Sequence, residues 1–269
     1  MPTPWRRLFP ALALFLAAAL PASALTFAVL GDNRPHKALD PQPEVFRRIV
    51  KEVNQVPVEF SVELGDKVLG SRVPSIRDRQ YRDFLAVARG LEAPLHYTVG
   101  NHDLSGDYAR IFGARYYSFD ADDSHFIVLD AYQPGQTLRI AGKQYAWLER
   151  DLAAHKDARH TFVFTHAPLW PKLRHVGSSL DRYPKDRDRL AALLRRYGVK
   201  LVFVGHNHFY RRDEVGGITQ FTSGGAGAEL YLPAAQGGFH HFLVVQVAGP
   251  RVMVTLHRLG AAPKVVYDR

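Results

Sequence analysis

LTFAVLGD, residues 25–32, is a short apolar run that closes on a glycine and an aspartate. A compact apolar run bounded by turn residues reads as a buried strand. The pattern returns twice: VEFSVELGD at residues 58–66 and LHYTVGNHD at residues 95–103. Between the first two runs, Val45, Phe46, Ile49, Val50 and Val53 recur at helical spacing; between the second and third, Tyr81, Phe84, Leu85 and Ala88 do the same. Strand and helix in alternation predict an α/β sheet with both faces covered. Each strand ends in glycine followed by polar, metal-capable side chains, and open α/β sheets bind ligands beyond the carboxyl ends of their strands.

Farther along, Tyr116–Phe119 and His125–Leu129 read as a strand pair, and Gln144–Ala154 as a helix with Trp147, Leu148 and Leu152 as its apolar points. Thr161–Thr165 is a strand ending at His166. A long basic stretch, Ala167 to Pro184, has no periodicity and reads as a functional loop. Leu190, Leu193, Leu194 and Tyr197 mark another helix, and Leu201–Val204 a strand ending at Gly205-His206-Asn207-His208. The tail, with Ile218–Thr222, Phe242–Val247 and Val252–His257, reads as β. No repeat or linker divides residues 25–269, which are expected to form one domain.

Five strand ends therefore carry candidate metal ligands: Asp32, Asp66, Asn101, His166 and the pair His206 and His208. Oxygen and imidazole donors suit Mn, Fe, Zn or Mg better than copper or iron–sulfur clusters. A carboxylate such as Asp66 can bridge two cations, and cations about 3.5–4 Å apart can hold a hydroxide between them for in-line attack on a phosphoryl group. Taken alone, each of these residues is an ordinary turn, cap or core residue; the ordered set is what points to a metal site.

The set Gly31-Asp32, Gly65-Asp66, Gly100-Asn101-His102-Asp103, His166 and Gly205-His206-Asn207-His208 resembles the calcineurin-like metallophosphoesterases, which include purple acid phosphatases and class III cyclic-nucleotide phosphodiesterases. The resemblance runs from Phe27 to about Gly227, and takes in Phe126–Asp130, Gln144–Leu152 and Thr222–Gly227. It implies a four-layer αββα sandwich, two mixed β-sheets flanked by helices, and a pair of divalent or trivalent metal ions. Asp66 would bridge them, Asp32 and His208 would hold the first, and Asn101, His166 and His206 the second. His102 would orient the phosphate and protonate the leaving oxygen. The implied activity is hydrolysis of phosphomonoesters or phosphodiesters of small phosphorylated molecules by a metal-bridging hydroxide.

Two positions depart from the family pattern. The first motif, usually Asp-x-His, is Asp32-Asn33-Arg34, and arginine is too basic to ligate a metal. Asn33, His36 or water could fill the gap; Arg34 could instead reach the substrate phosphate, which guanidinium matches in shape. The usual Asp or Asn three residues after the second Gly-Asp is Leu69, which removes a common partner of the catalytic histidine and also the place of the chromophoric tyrosine of purple acid phosphatases.

Composition narrows the alternatives. With no cysteine, thiol catalysis, zinc–thiolate sites and lipoprotein anchoring are excluded. The positive start Trp5-Arg6-Arg7, the apolar run Leu8–Leu20 and Pro21-Ala22-Ser23-Ala24 read as a signal peptide over residues 1–24, giving a periplasmic or secreted protein with no stable membrane insertion after cleavage. A net charge of +9 reads as a solubilising surface or as attraction to anionic substrates; no aromatic–basic motif predicts nucleic-acid binding. A metallo-β-lactamase-like site would need His-x-His-x-Asp-His, whereas Phe-Tyr-Arg-Arg follows His208. The remaining rival is a non-catalytic phosphate- or ligand-binding protein with an impaired first metal site.

Overall fold

The computed structural model describes residues 25–269, so the expected signal peptide over residues 1–24 lies outside the described residues. Two six-stranded sheets organise the chain. The first contains β1 (Leu25–Leu30), β2 (Phe60–Glu63), β3 (Leu95–Tyr97), β10 (His241–Ala248), β11 (Arg251–Arg258) and β12 (Lys264–Asp268), in the order β12-β11-β10-β1-β2-β3. The second contains β4 (Tyr117–Ala121), β5 (Ser124–Leu129), β6 (His160–Thr165), β7 (Leu201–Val204), β8 (Tyr210–Val215) and β9 (Ile218–Ser223), in the order β4-β5-β6-β7-β9-β8. Both are mixed: β1, β2 and β3 run parallel, as do β5, β6, β7 and β9, while the outer strands pair antiparallel.

Three apolar layers follow from the period-two alternation of strand side chains. From β1, Phe27 and Val29 point between the sheets and meet Phe60, Val62, Phe126, Phe162, Phe164 and Phe203. The Phe27 ring stacks on Phe60 at 5.2 Å and meets Phe126 and Phe162 edge-on, each at 5.3 Å. Ala28 and Leu30 point the other way, toward Phe46, Ile49 and Val50 of α1 (Glu44–Val53) and Phe84 of α2 (Pro74–Ala88). Behind the second sheet, Ile127, Val163 and Val202 pack on Leu148 and Leu152 of α4 (Gly142–Ala154) and Leu190 and Leu194 of α5 (Pro184–Arg196). The layers are helix, sheet, sheet, helix, as expected. Strands buried on both faces must be apolar throughout, which is why β1 reads as an unbroken run.

The structure adds three elements that the sequence reading left as loop. The short α3 (Tyr108–Phe112) has too few turns to display a period, and β8 and β12 are edge strands with charged, half-exposed residues. Polar edges block sheet-to-sheet aggregation but hide a strand from any search for apolar runs. Within the Ala167–Pro184 stretch there is one 3-10 turn, Leu180–Arg182, and Pro184 starts α5. No helix among the described residues is long and apolar enough to cross a membrane.

Candidate metal centre

The carboxyl ends of β1, β2, β3, β6 and β7 converge. Where the chain leaves β1, β2 and β7, it turns through a left-handed backbone at Asp32 (φ 59°), Asp66 (φ 60°) and His206 (φ 68°). Non-glycine residues rarely adopt this conformation, and it clusters at functional sites. The glycines of the motifs have a steric cause. A Cβ on Gly100 would lie 2.2 Å from the amide nitrogen of Asp66, and one on Gly205 would lie 2.6 Å from Oδ2 of Asp32. The ligand loops therefore pack backbone against side chain, and glycine is what lets them approach.

All six predicted ligands are brought together. Asp66 belongs to two buried groups whose ligand atoms lie within 4.8 Å of one another: Asp32, Asp66 and His208, and Asp66, His166 and His206. Asn101 joins the second group, with Oδ1 3.2 Å from Nε2 of His166. The imidazoles are aimed by their other nitrogens. His166 Nδ1 donates to the Leu64 carbonyl at 2.8 Å, and His208 Nδ1 to the Glu229 carbonyl at 2.6 Å, leaving both Nε2 atoms facing the carboxylates. Metal-binding histidines are held in this way by outer hydrogen bonds. The two carboxylates are positioned by backbone amides: His206 N–H donates to both oxygens of Asp32 and His102 N–H to Oδ1 of Asp66.

The electrostatics fit a cation. Burial pushes the Asp66 carboxyl up, and the charge of Asp32 adds to the rise against the pull of His166. Burial opposes ionisation of Asp32 as well, but His166 and His208 outweigh it and hold that carboxyl low. At His166 burial favours the neutral ring, yet Asp66 and Asp32 raise its pKa overall. His206 is pushed well below the ordinary histidine value by burial and by its histidine neighbours, and its Nε2 is buried with no hydrogen-bond partner. A buried, unpartnered nitrogen beside the Asp66 carboxylate is a lone pair available to a metal. The donor set therefore fits two cations, and would give them unequal shells: four protein ligands for the second, three for the first.

The departures from the usual pattern are now explained. Arg34 stands beside the first group, its Nε 3.7 Å from Oδ2 of Asp66 and its side chain only 16% exposed, and it hydrogen-bonds Tyr231. His36 does not fill the gap; it turns outward to Glu229 at 3.3 Å. His102 presents Nε2 to the site, 3.9 Å from Asp66 Oδ2, while its Nδ1 donates to the backbone carbonyl of Leu69 at 2.8 Å. That carbonyl does the orienting work that the Leu69 side chain cannot. Asp103 points away from His102: its carboxylate accepts from the amides of Asp66, Lys67 and Gly100, each at 2.9 Å.

Sequence reasoning missed the ion cluster underneath. Lys67 is fully buried, 2.9 Å from both Glu63 Oε2 and Asp103 Oδ2, and donates to the Thr98 carbonyl at 2.6 Å. Burial drives Glu63 up to about 7, whereas for Lys67 the two carboxylates more than offset burial and raise it. A lysine four residues after a glutamate inside an otherwise apolar run was the available signal.

The Ala167–Pro184 loop reaches the site through His175, whose ring lies 4.0 Å from that of His206 on a left-handed backbone (φ 54°). Tyr231 stacks on His208 at 4.1 Å, and the Arg174 guanidinium lies 5.1 Å from the Tyr231 ring. Arg182 is solvated and Arg187 pairs with Asp188, so neither lines the site. His241 is buried in the core and His240 donates to Gly225. Gly224 and Gly225 make room for Asn207, Asp32 and His241. Asp130 is a structural turn residue, accepting from Tyr132, Gln133 and Arg115.

Comparison with known proteins places this geometry. The profile of a family described as calcineurin-like phosphoesterase matches residues 25–210. A serine/threonine-protein phosphatase CPPED1 from Mus musculus is 29% identical over 177 residues, 59% of this chain and 56% of that protein. Purple acid phosphatase 23 from Arabidopsis thaliana is 34% identical over 124 residues, 46% of this chain and 25% of that protein. The fold is shared with a dimetal phosphatase from Danio rerio, with a TM-score of 0.71 at 16% identity, covering 90% of this chain and 98% of that one. The chain thus spans little more than half the length of the mammalian relative.

Proposed function

From the premise that the chain belongs to the calcineurin-like phosphoesterase family, we propose that it is an exported, metal-dependent phosphatase that prefers phosphomonoesters. One observation carries the reading: two buried donor groups share Asp66 and lie beside His102, a titratable side chain oriented but not used as a ligand. A pair of cations held there supplies charge neutralisation at the phosphoryl oxygens and lowers the pKa of water.

The protein's own residues do the rest. His102, held by the Leu69 carbonyl, turns Nε2 toward the site and donates a proton to the departing ester oxygen. Arg34 offers its guanidinium to a non-bridging phosphate oxygen, a task its fork geometry suits. His175 and Tyr231 close the loop side of the pocket with further donors. This concentration of cationic and donor groups favours a dianionic monoester over a monoanionic diester. Phosphoryl transfer depends mainly on such positioning and charge neutralisation.

The test is the ratio of kcat/KM for p-nitrophenyl phosphate to that for bis-p-nitrophenyl phosphate. The reading expects a ratio well above unity that falls in Arg34→Ala. A ratio below unity, unaffected by Arg34→Ala, would assign a diesterase. The rival, a ligand-binding protein with an impaired first metal site, is favoured only by the motif-one arginine, and turnover excludes it. Export rests on the leader over residues 1–24 and is tested by amino-terminal sequencing of the protein recovered from outside the cytoplasm.

A further inference from the structure

A second constellation lies at the opposite end of the second sheet, where β4 meets β5. Asp120 and His125 are directly paired across that hairpin, and α4 lays Asp151 and the residue after its end, His155, against them. His125 is buried, with Nδ1 2.6 Å from Oδ1 of Asp120 and Nε2 2.9 Å from Oδ2 of Asp151. His155 donates its Nδ1–H to the Asp151 carbonyl at 2.8 Å, which leaves the Nε2 lone pair 3.6 Å from Oδ2 of Asp120. The two rings are parallel and 3.8 Å apart. One ligand atom from each of Asp120, His125 and His155 lies within 4.8 Å of the others.

We propose that Asp120, His125 and His155 form a second, non-catalytic site for a divalent zinc-type ion, with Asp151 as the residue that orients both histidines. The reasoning starts from the outer bonds. A metal-binding histidine donates its remote N–H to a carboxylate or a carbonyl, which fixes the tautomer and aims the lone pair. Both histidines here have that arrangement, and one residue supplies both acceptors: the Asp151 carboxylate for His125 and its carbonyl for His155. Asp151 is itself anchored by the Ser118 hydroxyl at 2.8 Å. Two imidazoles and a carboxylate with water in the fourth position is a donor set that zinc accepts.

The surroundings agree. On a chain of net charge +9, the adjoining surface cavity is lined by Asp120, Asp122, Asp123 and Asp157. Burial opposes protonation of His125, but Asp151 and Asp120 outweigh it and raise its pKa. A cation entering between His125 and Asp120 would replace the 2.6 Å hydrogen bond that joins them. The bound ion would fasten the end of α4 to the edge hairpin. The proposal stands or falls independently of the phosphatase reading.

The test compares the full chain with His155→Gln and, separately, Asp120→Asn, both at partly exposed positions. Each protein is dialysed against Zn²⁺ and its metal content determined by elemental analysis, with melting temperature and p-nitrophenyl phosphate turnover on the same samples. The proposal expects each variant to hold one ion per chain fewer than the parent and to lose part of the zinc-dependent rise in melting temperature, with turnover unchanged. Equal ion counts in the parent and both variants would overturn it and leave the cluster a protonated ion pair. The fold of each variant is checked by its melting transition, and Asp120→Asn keeps the test decisive if His155→Gln does not fold.

Discussion

His102 shows how a site survives a change in its usual support. A leucine at position 69 removes the side chain that would steer the histidine, yet the backbone carbonyl of the same residue accepts from Nδ1 at 2.8 Å. Sequence motifs record side chains and are blind to carbonyls, so the loss was legible and the replacement was not. The same holds at Arg34: the missing histidine was visible, but only coordinates place the guanidinium 3.7 Å from Asp66 and turn His36 away. His102→Ala should lower turnover by roughly 10²–10⁴-fold while leaving metal content intact, because in the proposed mechanism the side chain moves a proton and holds no cation. Steady-state kinetics and elemental analysis on one preparation check this; loss of metal along with rate would make His102 a ligand instead.

At the scale of elements, the strands of both sheets' interiors and the four long helices were legible, because burial forces their periodicity into the sequence. Edge strands β8 and β12 were not, since a partner on one side permits charge on the other. The ligand loops rest on an ionic cluster that local pattern revealed only in part: Glu63 and Lys67 are four residues apart, but Lys67 also bonds Asp103, thirty-six residues away. Removing this cation leaves two buried carboxylates without a counter-ion. Lys67→Met should therefore destabilise the protein by about 3–5 kcal/mol in urea unfolding. A second dependence lies where β10 leaves the loop after β9. His241 is buried, donates Nδ1–H to the Phe239 carbonyl, and accepts at Nε2 from the Ser223 hydroxyl. Burial depresses its pKa from 6.5 to about 4. As pH falls from 6.5 toward 4 the unfolded chain takes up this proton and the folded one does not, so stability is lost across that window. Urea midpoints should fall on acidification, and His241→Gln should be less sensitive, by as much as about 3 kcal/mol at the acid end. Parallel pH profiles for the two proteins would contradict it.

The whole molecule joins two sheets so that β1–β3 supply Asp32, Asp66 and Asn101, and β6–β7 supply His166, His206 and His208. Metal binding thus links the two halves of the core, and cations held only by the folded state stabilise it. A free ion at a hundred times its dissociation constant contributes about 2.7 kcal/mol. Chelation should lower the melting temperature reversibly. Because the first group has three protein ligands and the second four, the ions should leave in two steps, with the second, Asn101-containing group retaining its ion longest. Calorimetric titration of the stripped protein, with the Asp120/His125/His155 cluster disabled by His155→Gln, would show two affinities; a single class of identical sites would contradict the asymmetry.

The central claim is that Asp66 is shared by two cations that serve hydrolysis. The most direct measurement is elemental analysis of wild type and Asp66→Ala with p-nitrophenyl phosphate turnover on the same samples, in the His155→Gln background so that only these two sites count. The account predicts about two ions per chain and turnover in the parent, and loss of turnover with depletion of both ions in Asp66→Ala. A well-folded parent that holds metal but hydrolyses no ester with any added divalent cation would contradict it, and would make the chain a binding protein.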